Sequence, residues 1–201
     1  MEFTDVVSGR RMVRAFAPEP LPADAVRRLL RNATRAPSAG NSQGYAFLAL
    51  EAADERAAFW QALAPARPVV SSVTTAPLIV VPLSSKDAYL DRYAKPDKGW
   101  PDRDETRWQV PYWHVDTGMA ALLMLLTAVD EGLGGLFFGI PGPVLDDFRA
   151  AFGVPAEYAP VGALALGYPD PDARPSRPSQ PRRPWQELVH HGRWGGQPDL
   201  S

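Results

Sequence analysis

The chain has 201 residues, and its 21 Lys and Arg against 23 Asp and Glu give a formal net charge of −2. This length, with 45% hydrophobic residues, predicts one or at most two folded domains with a sizeable core. The lack of Cys excludes disulfide scaffolds, thiol catalysis and thiolate metal sites. The isolated His114 and the adjacent His190 and His191 lack the spacing of metal ligands. The near-neutral charge gives no reason to expect nucleic acid as a partner.

The first half of the chain shows patterns typical of mixed helices and strands. Apolar residues recur every three to four positions in the helical segments, whereas Leu78–Leu83 is a nearly all-apolar run, as expected for a strand covered on both faces. In chain order, the predicted elements are a helix from Asp5 to about Met12 capped by Thr4, a helix opened by Pro22 with Val26, Leu29, Leu30 and Ala33 on its apolar face, a strand over Tyr45–Leu50, a helix over Ala52–Leu63 and the strand over Leu78–Leu83.

The second half begins with a polar and aromatic segment, residues 84–113, for which no regular element is predicted. The elements predicted after it are a central helix over Asp116–Glu131 ended by Gly132, a strand over Gly134–Gly139, a helix from about Pro143 to Phe152 ended by Gly153, and a strand over Val161–Leu166. The proline-rich stretch Tyr168–Pro184 cannot form a helix or an inner strand, so we expect an extended arm. No repeat or composition shift divides the chain, which predicts a single domain over residues 1–201.

The sequence gives no sign of secretion or of a membrane span. Met1–Gly9 has no basic region followed by an apolar core, so no signal peptide is expected. The longest apolar run, Met119–Val129, is about half of the ~20 residues that a membrane span needs, and it predicts a buried core helix. We therefore expect a cytoplasmic protein without a membrane partner.

The charges are unevenly distributed along the chain. Residues 1–35 carry a local charge of +3, residues 36–170 carry −7, and residues 171–193 return to +3. The arginines of the two positive ends are Arg10, Arg11, Arg14, Arg27, Arg28, Arg31 and Arg35, and then Arg174, Arg177, Arg182, Arg183 and Arg193. If the two ends meet in space, they form a local anion site that the whole-chain charge conceals.

Two short segments have compositions suited to a ligand site. The segment Arg10–Phe16 reads RRMVRAF; a bound phosphate would relieve the repulsion of its arginines, although arginines at a helix end can also simply favour the helix dipole. The segment Ala36–Gln43 reads APSAGNSQ; its small residues and the amides of Asn41 and Gln43 suit a flat ligand, although they also suit an ordinary turn. The residues alone leave both alternatives open.

In this order and spacing, the two segments resemble the FMN-dependent nitroreductase family. Its N-terminal pattern is Arg-Arg-Ser-x-Arg-x-Phe, then a helix, then Ala-Pro-Ser-x-x-Asn-x-Gln. Further matches follow in the family order: Glu131–Gly134 leading into Phe138–Gly142, then Gly167–Pro169, Arg182–His190 and Trp194. The resemblance implies an α+β fold with a central, mostly antiparallel β-sheet flanked by helices, and a homodimer whose extended C-terminal arm, residues 168–201, embraces the partner subunit.

The resemblance also implies FMN, bound at the homodimer interface. The arginines of both ends would hold the phosphate and ribityl chain, and the two other segments would contact the isoalloxazine ring. The implied cofactor-binding residues are Arg10, Arg11, Met12, Arg14, Pro37, Ser38, Ala39, Asn41, Gln43, Phe138, Gly139, Ile140, Gly142, Arg182 and Arg183. Two positions depart from the family: Met12 replaces the usual Ser, and Pro141 has no N–H, so a donor to flavin N5 must be a neighbour such as Gly139, Ile140 or Gly142.

The implied activity is reduction of nitroaromatic, quinone or other electron-poor substrates by NAD(P)H, as a ping-pong hydride transfer through flavin N5. The cofactor carries this chemistry, so no catalytic side chain and no metal is expected. We expect the segment 84–113 to form a lid or insertion. Within it, Tyr112 and Trp113 are candidate substrate contacts; alternatively, they are apolar cover for a loop or a dimer contact. Two other functions fit the resemblance: a flavin-dependent dehydrogenase, oxidase or flavin-consuming enzyme, and a non-catalytic flavin-binding protein.

Overall fold

The computed structural model describes residues 1–66, 71–173 and 180–196. Within these ranges, five antiparallel strands form one sheet flanked by helices, which confirms the predicted α+β class. The strands are β1 (Tyr45–Leu50), β2 (Leu78–Ser85), β3 (Gly134–Phe138), β4 (Tyr158–Pro160) and β5 (Ala163–Gly167). The helices are α1 (Phe3–Gly9), α2 (Ala23–Ala33), α3 (Ala53–Leu63), α4 (Ser71–Thr74), α5 (Lys86–Tyr93), α6 (Tyr112–Asp130) and α7 (Leu145–Phe152).

The strand order is β1-β2-β5-β3, with β4 paired to the far part of β2. Tyr45 lies opposite Ser84 where β1 begins, and Phe138 lies opposite Ala163 where β3 ends. We call this the upper end of the sheet. The lower end is where β3 begins and β5 ends, with Gly134 opposite Gly167.

The sheet separates two hydrophobic clusters. Along β2, Ile79, Val81 and Leu83 belong to the cluster that α3 and α7 cover, while Leu78 and Val80 belong to the cluster that α2 and α6 cover. All eight residues of β2 are buried, which confirms the prediction of a strand covered on both faces. Burial of apolar surface on both sides of one strand makes β2 the centre of the fold.

Helix α6 confirms the predicted core helix, but it begins four residues earlier than expected, directly after Pro111. It packs against α2, β2 and β3 through buried residues that include Ala120, Met124 and Ala128. Among the described residues it is the one helix long and apolar enough to cross a membrane, and its packing is that of a core helix. Its opposite side is exposed, with Val115, Met119 and Leu122 at helical spacing.

Three other expectations need correction. Helix α1 ends at Gly9 rather than near Met12, because Arg10 already has extended backbone angles, and Thr4 lies inside the helix rather than at its cap. The segment 84–113 is not irregular throughout, since Ser85 accepts a hydrogen bond from the backbone N–H of Ala88 and begins α5. The short elements α4 and β4 lie where none was predicted.

Candidate functional site

The arginine segment, residues 10–16, runs as extended chain across the lower end of the sheet. Met12 forms a parallel bridge with Gly135, and the N–H of Val13 donates to the Gly135 carbonyl at 3.0 Å. A Cβ on Gly134 would lie 2.6 Å from Val13 Cγ2, so only glycine permits this approach. Met12 is half-buried and packs against both hydrophobic clusters. Its side chain therefore anchors the segment to the core.

The guanidinium groups of Arg10 and Arg11 are available to a ligand. Within residues 1–66, 71–173 and 180–196, neither Arg10 nor Arg11 has an acidic partner. Arg14 is exposed, and its carbonyl accepts a hydrogen bond of 3.0 Å from Ser72 Oγ, which fixes the backbone at that point. Neighbouring guanidinium groups on a fixed backbone suit a phosphate, which accepts several charge-assisted hydrogen bonds.

The amide loop, residues 38–43, lies at the upper end of the sheet, directly before β1. Its backbone has positive φ at Gly40 (62°), Asn41 (54°) and Gln43 (50°), a conformation that is uncommon for residues other than glycine. The hydroxyl of Ser38 accepts from the N–H of Gln43 at 2.9 Å, and the hydroxyl of Ser42 donates to the Ala39 carbonyl at 2.7 Å. The loop is thus a compact, internally bonded turn.

The amide side chains of this loop face solvent. Asn41 and Gln43 are exposed, and neither side-chain amide forms a hydrogen bond with another part of the described chain. Pro37, which precedes the loop, is also exposed, while Ser38 and Ala39 are half-buried. Two free amides on a fixed backbone can donate to and accept from a polar, flat ligand.

Three side chains that the sequence analysis did not single out hold this loop. The carboxylate Oδ2 of Asp116, which is 3% exposed, accepts from the N–H of Ala39 at 2.8 Å and from the Tyr89 hydroxyl at 2.7 Å. Arg92 Nε donates to the Gly40 carbonyl at 2.8 Å. Burial, together with the Asp116 hydrogen bond and charge, raises the pKa of Tyr89, so its hydroxyl remains a donor. In the sequence, the signal for Asp116 was a carboxylate near the start of a largely apolar helix.

The segment Phe138–Gly142 follows β3 at the upper end of the sheet. The Phe138 ring stacks on Trp60 at 5.7 Å and 13°, inside the cluster that α3 and α7 cover, and Ile140 packs against the same cluster. A Cβ on Gly139 or on Gly142 would meet no atom within 4 Å. The segment therefore offers open space and backbone groups rather than side chains to a ligand.

Tyr112 and Trp113 form the first turn of α6. Tyr112 is 42% exposed, whereas Trp113 packs edge-on against Tyr89 and Trp108 at 6.3 Å and 6.1 Å. The next residue, His114, shares a hydrogen bond of 2.8 Å between its Nδ1 and Ser84 Oγ. Burial lowers the pKa of His114. Tyr112 is thus the more exposed ring of this pair.

The C-terminal candidates Arg182 and Arg183 lie in the described part of the predicted arm. Arg182 and Arg183 are exposed, and Arg183 Nε pairs with Glu187 at 3.1 Å. Arg182 has no acidic partner among the residues the structure describes. The chain just after β5 is fixed to the arginine segment, since Phe16 forms an isolated antiparallel bridge with Pro169. Arg174 and Arg177 lie outside the described residues, as do residues 197–201 of the predicted arm.

The candidate residues form two groups at opposite ends of the sheet. The amide loop, the segment Phe138–Gly142 and the start of α6 lie at the upper end, whereas the arginine segment lies at the lower end. The five residues of β3 separate the two groups by about 16 Å at ~3.3 Å per residue. No group of three or more metal-binding side chains occurs in the described part of the chain.

Comparison with known proteins identifies the family of this chain. The sequence profile of the Nitroreductase family matches residues 7–168. The chain belongs to the nitroreductase family. A protein of Thermus thermophilus named NADH dehydrogenase is 29% identical over 204 residues, covering 90% of this chain and 91% of its own.

Solved structures share the fold of this nitroreductase-family chain. A candidate nitroreductase of Exiguobacterium sibiricum, solved in complex with FMN, superposes with a TM-score of 0.70 at 22% identity and covers 94% of this chain and 96% of its own. A nitroreductase family protein of Clostridium difficile superposes with a TM-score of 0.71 at 20% identity and covers 96% of this chain and 99% of its own. Both likenesses confirm the predicted fold.

Proposed function

We propose that this chain is an FMN-dependent oxidoreductase that uses NAD(P)H to reduce electron-poor substrates such as nitroaromatics and quinones. The observation that carries the proposal is the donor set: Arg10 and Arg11 without acidic partners in the described chain, and the free amides of Asn41 and Gln43. Open space beside Gly139 supports it. Family membership, and the solved fold relative that contains FMN, agree with this chemistry.

Each group of residues has a distinct task in this proposal. Arg10, Arg11 and Arg14, with Arg182 and Arg183, hold the phosphate and ribityl chain, and Met12 keeps the arginine segment on the core. The amide loop and the backbone of Phe138–Gly142 bind the edge of the isoalloxazine ring. When bound, FMN would supply the hydride chemistry between NAD(P)H and the second substrate, while these residues would hold and orient it.

The separation of the two groups of residues supports a site completed by a second copy of the chain. Within one chain, the amide loop is near the start of α6, while the N-terminal amine and α1 lie near its end, where Met1 pairs with Asp130 at 2.8 Å. The 19 residues of α6 span about 28 Å. A two-fold axis across the middle of α6 would place the arginine segment of one copy beside the amide loop of the other.

The exposed apolar side of α6 is suited to that contact. Val115, Met119 and Leu122 are 37%, 41% and 47% exposed, and they lie on one side of the helix at helical spacing. Phe3 and Val7 on the neighbouring α1 are also exposed. Several exposed apolar side chains on two packed helices are typical of an interface, and a self-complementary helix face suits a homodimer. The exposed Trp194 near the end of the described arm gives the arm a means of docking on a partner.

The substrate class follows from the openness of the site. Flat, electron-poor rings would stack on the flavin face, and Tyr112 is the exposed aromatic ring near the amide loop that could cover them. This arrangement favours broad rather than narrow substrate selection. We propose a cytoplasmic location, where NADH and NADPH are both available.

Absorption spectroscopy tests the cofactor and the electron donor. We expect the purified protein, supplied with FMN, to retain a flavin spectrum through gel filtration, to be bleached anaerobically by NADH or NADPH, and to recover its colour with a quinone or nitroaromatic. Protein that stays colourless after FMN addition would refute the proposal. Bleaching by dithionite but by neither nucleotide would instead show a non-catalytic flavin-binding protein.

Charge reversal tests the arginine assignments. We expect Arg10→Glu and Arg182→Glu each to raise the FMN Kd at least about tenfold, because each removes a charge-assisted hydrogen bond. Arg31→Glu, which makes the same charge change on the exposed side of α2, is the matched control. Unchanged affinity in both test variants would show that the two positive ends do not meet at one phosphate.

A further inference from the structure

The amide loop is bonded from behind to two helices through a single buried atom. Asp116 Oδ2 accepts both the Ala39 N–H and the Tyr89 hydroxyl, at 2.8 Å and 2.7 Å. Asp116 belongs to α6 and Tyr89 to α5, so one charged oxygen joins the loop to both elements. Tyr89 is fully buried and Asp116 nearly so, which strengthens these hydrogen bonds because water cannot replace them.

A second hydrogen bond holds the loop, and its donor is on α5. Arg92 Nε donates to the Gly40 carbonyl at 2.8 Å, while its two terminal nitrogens bind the carboxylate of Asp97 at 2.8 Å and 2.7 Å. This use of the planar guanidinium fixes its orientation, and a lysine ammonium cannot reproduce it. The Tyr93 ring closes the same side, since a Cβ on Gly40 would lie 2.7 Å from its Cε2.

The loop needs such support because its backbone is strained. Asn41 and Gln43 have φ values of 54° and 50°, which residues other than glycine adopt only when the surrounding structure enforces them. These are also the two residues whose free amides are aimed at solvent. The contacts that enforce the strained backbone therefore also decide where the two amides stand.

The aromatic rings of segment 84–113 pack behind the hydrogen bonds that hold the loop. Trp108 contacts Tyr93 at 4.6 Å and Tyr89 at 5.9 Å, and it also packs against Trp113 at the start of α6. At the surface of the segment, Arg103 forms an ion pair with Asp87 at 2.9 Å. A segment packed in this way forms a fixed wall.

We propose that Asp116, Tyr89 and Arg92 are positioning residues for the flavin site. They hold the amide loop in the strained backbone conformation that presents Asn41 and Gln43 to the isoalloxazine ring, and they make residues 86–108 a wall behind the site rather than a lid over it. The inference rests on the proposed function for its ligand. The three residues fix the loop whether or not a ligand is bound.

Two measurements on matched variants test the inference. The variants are Tyr89→Phe, Arg92→Lys and Arg92→Gln, together with the pair Asp116→Asn and Asp116→Ala. The controls are Tyr158→Phe, which removes a phenol hydroxyl that forms no hydrogen bond with the loop, and Arg103→Gln, which removes two ion pairs of the same segment without a bond to the loop. Hydrogen exchange of the peptide covering residues 38–43 is followed without FMN, and the FMN Kd is measured by fluorescence quenching.

We expect exchange of the loop peptide and the FMN Kd each to rise about tenfold in Tyr89→Phe and in both Arg92 variants, and to stay near wild type in the controls. Arg92→Lys should match Arg92→Gln, because the charge remains but the shared geometry is lost. Asp116→Asn keeps an acceptor oxygen for both donors, so it should recover part of the protection lost in Asp116→Ala.

Loop exchange within about twofold of wild type in both Tyr89→Phe and Arg92→Gln would overturn the inference, whatever happens to activity. Faster exchange spread evenly over the whole chain would also overturn it, since it would show a general loss of stability. If wild-type protein binds no FMN, the proposed function fails, and the exchange data still decide whether the three residues fix the loop. Faster loop exchange with an unchanged FMN Kd would show that the loop does not position the flavin.

Discussion

Replacing Gly134 with alanine tests whether the position of the arginine segment controls the candidate phosphate site. The added Cβ would lie 2.6 Å from Val13 Cγ2 and 2.8 Å from Val13 Cβ. Rotation of the side chain cannot move Val13 Cβ, which is attached to the backbone. The segment must therefore retreat by about 0.6 Å to reach ordinary contact, at a cost of about 1–3 kcal/mol.

The same retreat stretches the hydrogen bond from the Val13 N–H to the Gly135 carbonyl, now 3.0 Å, and it moves the arginines on either side of Val13. We expect Gly134→Ala to lower Tm by about 2–4 °C for each kcal/mol lost and to raise the FMN Kd about tenfold. Urea unfolding of the apoprotein and fluorescence titration with FMN measure the two effects separately.

Gly9→Ala is the matched control, because its Cβ would meet only Val129 Cγ1 at 3.5 Å, an ordinary contact, one residue before the same arginines. Its stability should be unchanged or slightly raised, since alanine is the better helix former. If Gly134→Ala matches this control in both assays, the close approach at Gly134 does not fix the arginine segment. A loss of stability with unchanged FMN affinity would separate the segment from the phosphate site.

Three further variants test the core, a titrating group and the dimer. Phe59→Ala should lower the free energy of unfolding by about 3–5 kcal/mol, because Phe59 is fully buried and meets Phe148 edge-on; a loss below about 1 kcal/mol in urea unfolding would contradict this packing. Burial lowers the pKa of His114 below 6.5, so the unfolded chain binds the proton more readily and stability is lost as the pH falls below about 6.5. Wild-type Tm should therefore drop more than that of His114→Gln between about pH 7.5 and 5.5, and parallel curves would refute the shift. Leu122→Glu should dissociate a homodimer in sedimentation velocity, because it places a charge on the exposed side of α6; a monomeric wild type, or a variant that stays dimeric, would contradict the interface.

The regular elements could be read from the sequence where apolar patterning and a terminating residue agree. Gly132 and Gly153 follow α6 and α7 with φ values of 72° and 62°, as predicted from their places after apolar segments. Helix α5 was missed because its eight residues lack an amphipathic pattern and lie among aromatic and charged residues. Its formation depends on tertiary contacts, chiefly the burial of Tyr89 and Leu90.

The candidate site could be predicted as motifs but not as an arrangement. The sequence places Arg10 and Asn41 only 31 positions apart, yet the antiparallel register of the sheet puts their segments at opposite ends. No pattern in one sequence states that register, since it is set by which apolar faces pack together. The buried carboxylate of Asp116 was likewise visible only as an acid near the start of a largely apolar helix.

By itself, the sequence determined the fold class, the main strands and helices, and the nitroreductase family, because these depend on local patterning and on motifs of fixed spacing. It also showed that the near-neutral net charge hides two arginine-rich ends. The tertiary structure alone decided which segments share an end of the sheet, which arginines lack acidic partners in the described chain, and that Asp116, Tyr89 and Arg92 hold the amide loop. Those facts depend on contacts between residues far apart in the chain, and packing in three dimensions creates such contacts.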